Sequence, residues 1–108
     1  MSWTIHFVNA LAKGEVDALP ADFQMRFGHI TRLIRDFGLP NVHEPYVKHL
    51  EGKLWEMRLK GRGGIGRSIY VAVSGQRVMV LRTFVKKTEA TPRREMEIAF
   101  ARLKEVRE

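Results

Sequence analysis

Three stretches of alternating hydrophobicity follow one another through the middle of the chain, with only short turns between them. They cover residues 54–60, 69–73 and 78–85, and in the first stretch Trp55, Met57 and Leu59 fall on one side and charged residues on the other. A period of two residues is typical of a half-buried strand. The turn at 74–76, Ser-Gly-Gln, fits a hairpin between antiparallel neighbours. The sequence therefore predicts an antiparallel sheet as the frame of the fold.

Helical patterns lie before and after these strands. A first strand at 3–8 precedes a short, weak helix, and a stronger helix opens at Pro20 and closes at Gly38. The stronger helix has an apolar stripe made of Phe23, Phe27, Ile30, Ile34 and Phe37. A last helix begins at Pro92 with Thr91 as its expected N-cap, because a threonine hydroxyl can accept an orphan backbone N–H there.

These elements predict the order β-α-α-β-β-β-α in one domain over residues 1–108. The expected class is α+β, with a mostly antiparallel four-stranded sheet, two N-terminal helices and a C-terminal helix. The amphipathic helices are expected on one face of the sheet. The segment from Leu39 to Glu51, which contains two prolines, is expected to be an irregular loop.

Positive charge is concentrated in the middle of the chain. The net charge is +7, and residues 48–94 hold twelve Lys and Arg against three Asp and Glu, whereas the flanking segments are near neutral. A basic segment of this kind suits a polyanionic partner, although a basic face kept for solubility explains the charge alone equally well. The chain has no cysteine and no apolar run near the roughly 20 residues that span a bilayer. A cytoplasmic location without membrane contact is expected.

Two features that resemble catalytic motifs do not fit their usual contexts. The glycine-rich segment at 61–66, Gly-Arg-Gly-Gly-Ile-Gly, joins two strands, whereas a phosphate-binding loop runs from a strand into a helix. A hairpin loop is the favoured interpretation. The four histidines have no ligand spacing, so no metal and no cofactor are expected. Among them only His49, beside Lys48 in the basic segment, is kept as a candidate RNA contact or proton carrier.

The remaining cations and aromatic residues suggest RNA chemistry. Cleaving RNA without a metal needs a base for the 2′-OH, an acid for the departing 5′-oxygen and cations for the charge on the phosphate. Arginine stays protonated, so Arg58 and Arg67 could serve only as clamps. Lysine can accept a proton where neighbouring cations favour its neutral form, and Lys86 and Lys87 are adjacent. Tyr70 could donate or relay a proton.

Other residues of the basic segment suit binding. Phe84 could stack on a splayed base, and phosphates could be held by Lys48, Arg58, Arg93 and Arg94. Phe84 and Tyr70 could instead be core or rim residues, with the cations only neutralising phosphates. From these residues alone, binding is favoured over catalysis, because basic surfaces are commoner than lysines tuned for proton transfer.

The segments LEGKLWEMRLKGRGGIGRSIYV and VLRTFVKKTEATPRREMEIAFARL resemble the RelE/HigB-like toxins of bacterial type II toxin–antitoxin modules, and their phage-derived HigB-like branch in particular. The Trp-Glu-Met-Arg strand and the Phe-Val-Lys-Lys-Thr corner before Thr91-Pro92 carry the likeness, which spans nearly the whole chain. Arg67, Lys87 and Lys86 match catalytic positions. Some HigB-type toxins have a histidine near the C-terminal end of the site, and this chain has none after His49.

The resemblance implies a compact RelE-like fold and a ribosome-dependent mRNA endonuclease that needs no metal. It also implies a cognate helix-turn-helix antitoxin, HigA-like, through which alone the toxin would reach operator DNA. Arg67→Ala and Lys87→Ala are expected to abolish toxicity with the fold intact, since neither residue is expected in the core. A ParE-like inhibitor of DNA gyrase and a non-toxic nucleic-acid-binding domain are the alternatives. The basic corner with Phe84 fits RNA better than a protein target.

Overall fold

The centre of the protein is a five-stranded sheet with the order β1-β5-β4-β3-β2. The computed structural model describes residues 2–86 and 90–107. Strand β1 runs parallel to β5, and the other neighbouring strands are antiparallel. The strands are β1 (Thr4–Phe7), β2 (Val47–Glu51), β3 (Leu54–Gly61), β4 (Gly64–Val73) and β5 (Arg77–Lys86). The helices are α1 (Ala10–Asp17), α2 (Ala21–Phe37) and α3 (Arg93–Leu103), with a short 3-10 turn at Leu39–Asn41.

The α+β class and the antiparallel β3-β4-β5 meander are confirmed, but the strand count was wrong by one. The segment expected to be an irregular loop contains β2, which pairs with β3 at the edge of the sheet. Lys48 and His49 are both exposed there, and the register shifts between His49 and Glu51. An edge strand with polar residues at consecutive positions carries no period-two hydrophobic signal.

Helices cover both faces of the sheet, which corrects the expectation that they share one. On one face, Ile30 and Ile34 of α2 lie in a core with Met57 of β3. On the other face, Met96 and Ala99 of α3 lie in a second core with the side chains of Leu54, Ile69, Val71 and Leu81. Both cores are needed because successive residues at the centre of β4 are buried, so each face presents apolar side chains. Within the described residues, no helix is both long and apolar enough to cross a membrane.

The glycine-rich segment forms the β3–β4 hairpin and lets α2 approach the sheet closely. Residues Gly61 and Gly64 pair across the hairpin, and Gly63 has a φ of 75° that favours glycine. A Cβ on Gly61 would lie 2.6 Å from Cε1 of Phe23 and 2.8 Å from a carboxylate oxygen of Asp22. The same carboxylate accepts a hydrogen bond from the backbone N–H of Arg62 at 2.8 Å. Packing and turn geometry therefore account for these glycines, as the hairpin interpretation expected.

Gly61→Ala is expected to lower the free energy of unfolding by roughly 1–3 kcal/mol, because the added methyl group overpacks against the buried ring of Phe23. Urea unfolding followed by circular dichroism measures the change. Gly28→Ala in α2 is the matched control, since no atom lies within 4 Å of its added Cβ. The control should gain about 0.5–1 kcal/mol from helix propensity. Equal effects of the two substitutions would contradict the close approach of α2.

Candidate nucleic-acid interface

Basic residues lie together on the sheet face that α3 partly covers. Arg58, Arg67 and Phe84 are direct cross-strand neighbours in β3, β4 and β5. The next row toward the hairpin consists of Lys60, Ile65 and Lys86. Lys48 of β2 is opposite Glu56, two residues before Arg58, and so shares this side. Directly opposed residues point to the same side of a sheet. We call this surface the cationic face, made of Lys48, Arg58, Lys60, Arg67 and Lys86.

Arg67 lies at the base of this face and is fully buried, with an exposed fraction of 0%. Its Nη1 donates to Oγ1 of Thr91 at 3.1 Å, and the Thr91 hydroxyl donates to Oε1 of Glu56 at 2.6 Å. Glu56 is only 2% exposed, and its Oε2 lies 3.6 Å from Nε of Arg58. A buried ion is tolerated when an opposite charge and hydrogen bonds accompany it. We call Glu56, Arg58, Arg67 and Thr91 the Arg67 cluster.

The Arg67 cluster corrects two expectations. Arg67 was expected outside the core, but its guanidinium is enclosed by the sheet and by the segment that leads into α3. Thr91 was expected to cap α3, but Pro92 is the N-cap residue and no side chain caps the helix. The Thr91 hydroxyl instead links an acid and a base that lie on two neighbouring strands.

A small cleft of about 270 Å³ opens above Glu56, between β2, β3 and the start of α3. Its polar lining comes from Lys48, Glu51, Glu56, Thr91 and Arg93. Arg93 is exposed and donates from Nη1 to Oε1 of Glu51 at 3.0 Å. Lys48, by contrast, forms no ion pair with any described residue. The cleft therefore combines an accessible ammonium group with a buried carboxylate that is already hydrogen-bonded.

One cation of the basic segment, Arg82, forms ion pairs with two glutamates that lie on different helices. Arg82 Nη1 lies 2.7 Å from Glu15 of α1, and its Nε lies 2.7 Å from Glu95 of α3. Arg102 also contacts Glu15, at 2.8 Å. Burial alone would raise the pKa of Glu15, but the hydrogen bonds from Arg102 and the Thr83 backbone and the charges of both arginines lower it overall. These ion pairs connect α1 and α3 to β5, so the Arg82 guanidinium is not available to bind a ligand.

The structure brings together most, but not all, of the residues predicted for the site. Lys48, Arg58, Arg67 and Lys86 share the cationic face with Phe84, and Arg93 borders the cleft. Phe84 is only 8% exposed and packs in the core beneath α3, so its ring is not an open stacking surface. Arg94 is exposed at the start of α3. Lys87 lies outside the described residues.

Tyr70 is not part of this face. It lies three residues after Arg67 in β4, its side chain belongs to the core beneath α2, and it is 1% exposed. Burial raises the pKa of its phenol. Tyr70 and Arg67 therefore occupy opposite sides of the sheet and are not placed to act on the same phosphate.

Sequence reasoning missed Lys60 and the central position of Glu56 and Thr91. The period-two pattern places Glu56 and Arg58 on the same face of β3, and their side chains are in contact there. The link to Arg67 depends on Thr91, which lies 35 residues after Glu56. Lys60 could have been found, because it lies two residues beyond Arg58 and directly before the hairpin.

Comparisons with known proteins identify the family and the fold of the chain. The model of the family described as "Phage derived protein Gp49-like (DUF891)" matches residues 14–104. The chain belongs to the Gp49-like family. This result confirms the predicted resemblance to the phage-derived branch of the RelE/HigB-like toxins. No curated protein matches this Gp49-like chain.

A solved structure shows the same fold. A chain in the crystal structure of the archaeal RelE–RelB complex from Pyrococcus horikoshii OT3 aligns with a TM-score of 0.61 and 20% sequence identity. The alignment covers 83% of the Gp49-like chain and 100% of the archaeal chain. The expected RelE-like fold is confirmed by this likeness.

Proposed function

We propose that this Gp49-like protein is the toxin of a type II toxin–antitoxin module and cleaves mRNA on the ribosome. The family and the RelE-like fold support a toxin, and the archaeal relative was crystallised in a RelE–RelB complex. A helix-turn-helix antitoxin is the proposed partner, and the cytoplasm, where translated mRNA is found, is the proposed location. The protein would contact operator DNA only through that antitoxin.

The observation that carries the nuclease proposal is the arrangement of the cationic face. Arg58 and Arg67 are neighbours across β3 and β4, and Lys60 and Lys86 flank them in the next row. Lys48 borders the cleft beside them. Several cations converging on one small area is what a phosphodiester needs when negative charge builds up on it. A basic surface kept only for solubility would not require a buried arginine and a buried glutamate beneath it.

The proposed reaction is attack of the ribose 2′-oxygen on the adjacent phosphorus. Lys86 or Lys87 is the proposed general base, which accepts the 2′-OH proton while the new P–O bond forms. The P–O5′ bond breaks, and the departing 5′-oxygen takes a proton from a general acid or from water. The products are a 2′,3′-cyclic phosphate and a 5′-OH. Arg58, which is partly exposed, contacts the phosphate, and Arg67 adds positive potential from below.

Induction of the wild-type chain in bacterial cells, followed by mapping of mRNA 5′ ends, tests this function. We expect growth arrest and new in-frame cuts on translated messages. Lys87→Ala and Lys86→Ala are compared with it, and loss of the general base should slow cleavage by about 10²–10⁴-fold. Lys13→Ala is the matched control, because Lys13 is an exposed lysine on α1 that pairs with Asp17. The control should cut as the wild type does.

The other outcomes separate the alternatives. Growth arrest with intact messages would favour a gyrase-directed, ParE-like toxin. No arrest from a stable, folded wild-type chain would favour a nucleic-acid-binding domain without toxicity. Cleavage of purified mRNA in the absence of ribosomes would contradict the ribosome-dependent part of the proposal while keeping the nuclease.

A further inference from the structure

A second and larger cavity lies on the other face of the sheet, away from the Arg67 cluster. It is an open groove of about 1020 Å³ between β2, β3, β4 and the 3-10 turn that follows α2. Binding sites for small ligands have volumes of roughly 300–1,000 Å³. Its walls carry the aromatic rings of Trp3, Trp55, Tyr70, His43 and His49. We call it the aromatic groove.

The aromatic groove offers a tryptophan ring positioned for stacking and a tyrosine hydroxyl that makes no hydrogen bond with a described residue. Trp55 is 40% exposed, and its ring meets the His49 ring edge-on at a centroid distance of 5.0 Å. His49 is fixed in turn, because its Nε2 donates to the Gly52 carbonyl oxygen at 2.8 Å. Tyr70 is 1% exposed and lines the groove, yet its hydroxyl makes no hydrogen bond with any described residue. The Tyr70 oxygen is not among the fully buried atoms that have no partner, so it is open to the groove, where a ligand atom can hydrogen-bond to it.

The charges at the rim favour an anionic ligand. Lys48 and Lys53 both line the groove, and neither forms an ion pair with a described residue. Glu44 is also at the rim and lies in the loop before β2. Aromatic surfaces beside lysines are what proteins use to hold unpaired nucleotides, with the rings stacking on bases and the lysines pairing with phosphates.

Lys48 connects the aromatic groove with the cationic face. It lies on the edge strand β2 and lines both the groove and the cleft above Glu56. A strand of RNA that crosses the edge of the sheet at β2 would keep one phosphate at Lys48. The nucleotide on one side would lie in the cleft, and the base on the other side would reach the groove.

We propose that the aromatic groove binds an unpaired base of the RNA whose phosphate is held at Lys48. The base stacks on Trp55, and its polar edge hydrogen-bonds to the Tyr70 hydroxyl. The proposal rests on the proposed RNA-cleaving function and adds a base subsite on the opposite face of the sheet. Tyr70 then has a role in binding RNA, although its position on the opposite side of the sheet excludes a catalytic role beside Arg67.

Intrinsic fluorescence tests the proposal directly, because Trp3 and Trp55 are the two tryptophans of the chain and both line the groove. The probe is a five-nucleotide 2′-O-methyl oligoadenylate, which lacks the 2′-OH and cannot be cut. Its affinity is measured by anisotropy of a 5′-fluorescein label. We expect saturable quenching of tryptophan fluorescence over the concentration range in which anisotropy rises.

Two substitutions and a control locate the base. Tyr70→Phe removes only the hydroxyl and should weaken binding about 3–10-fold. Trp55→Leu keeps an apolar side chain without the stacking ring and should weaken binding roughly 10-fold or more. Tyr46→Phe is the control, since Tyr46 packs against His29 and does not line the groove. The control should bind as the wild type does. If Trp55→Leu fails to fold, as judged by circular dichroism, the Tyr70→Phe result decides.

Three results would overturn the proposal. They are wild-type affinity in a folded Tyr70→Phe variant, binding without tryptophan quenching, and the absence of any binding. If the groove variants no longer bound the antitoxin but kept their affinity for the oligonucleotide, the occupant of the groove would be a protein segment and not a base. The nuclease function is judged separately by the cuts in cells, so either proposal can fail while the other stands.

Discussion

Glu56→Gln is expected to lower the free energy of unfolding by about 3 kcal/mol, a large part of what a domain of this size usually possesses. Glu56 is the buried carboxylate of the Arg67 cluster and accepts the Thr91 hydroxyl hydrogen, while Thr91 accepts from Arg67. Glutamine keeps the shape and can still accept that hydrogen bond. It removes the negative charge that offsets a guanidinium with an exposed fraction of 0%. Urea unfolding followed by tryptophan fluorescence measures the loss.

Glu51→Gln is the matched control. Glu51 is the acid of another glutamate–arginine pair at the same cleft, but its side chain is 51% exposed and that of Arg93 is 64% exposed. Solvent screens such a pair, so the substitution should change stability by about 0–1 kcal/mol. A loss at Glu56 no greater than the loss at Glu51 would show that the Glu56 charge does not compensate Arg67.

The double variant Glu56→Leu/Arg67→Met separates stability from function. Glu56 and Arg67 are buried groups of opposite charge joined through the Thr91 hydroxyl. Replacing buried opposite charges together with apolar residues is often neutral for stability, so much of the single-variant loss should be recovered. RNA cleavage should remain absent if Arg67 supplies positive potential to the phosphate. Arg67→Ala alone does not make this distinction, because the side chain is part of the interior. Cleavage by the folded double variant would remove Arg67 from the proposed mechanism.

The parts of the fold that the sequence predicted are those governed by local periodicity. The meander β3-β4-β5 alternates with period two, and α2 repeats at three and four residues, so each pattern is visible within one element. Strand β2 has no such pattern, because it pairs on one side only and exposes consecutive residues such as Lys48 and His49. The second core beneath α3 depends on contacts between distant segments, which periodicity does not specify.

For the candidate site, too, local patterns in the sequence predicted some features, and the others depend on contacts between distant segments. Arg58 and Arg67 were selected as individual cations, and the β3–β4 register makes them neighbours. Tyr70 was grouped with them although it lies three positions from Arg67, an odd spacing that already places two strand residues on opposite faces. The burial of Arg67 could not be predicted, because it depends on a threonine 24 residues later in the chain. Lys87 stays a prediction from the resemblance.

Steep salt dependence of RNA binding is the second large effect that we expect. Lys48, Lys60 and Lys86 form no ion pair with any described residue, and Arg58 on the same face is partly exposed. With about four phosphates neutralised by these cations, the slope of log affinity against log salt for a single strand should be about −3. Affinity should then fall roughly 50-fold between 50 and 200 mM salt. The labelled 2′-O-methyl oligonucleotide provides the measurement.

The slope also reports the number of phosphate contacts, so single substitutions test the cationic face residue by residue. Lys60→Ala and Lys86→Ala should each make the slope less steep by about 0.7, because each removes one released counterion. Arg32→Ala, an exposed cation on α2 at the opposite face, should leave the slope unchanged. If Arg32→Ala changed the slope as much as Lys60→Ala, binding would depend on net charge rather than on one surface. Lys48 lines both cavities. Lys48→Ala should therefore make the slope less steep and also weaken the tryptophan quenching. Both effects together would link the phosphate contact to the base in the aromatic groove.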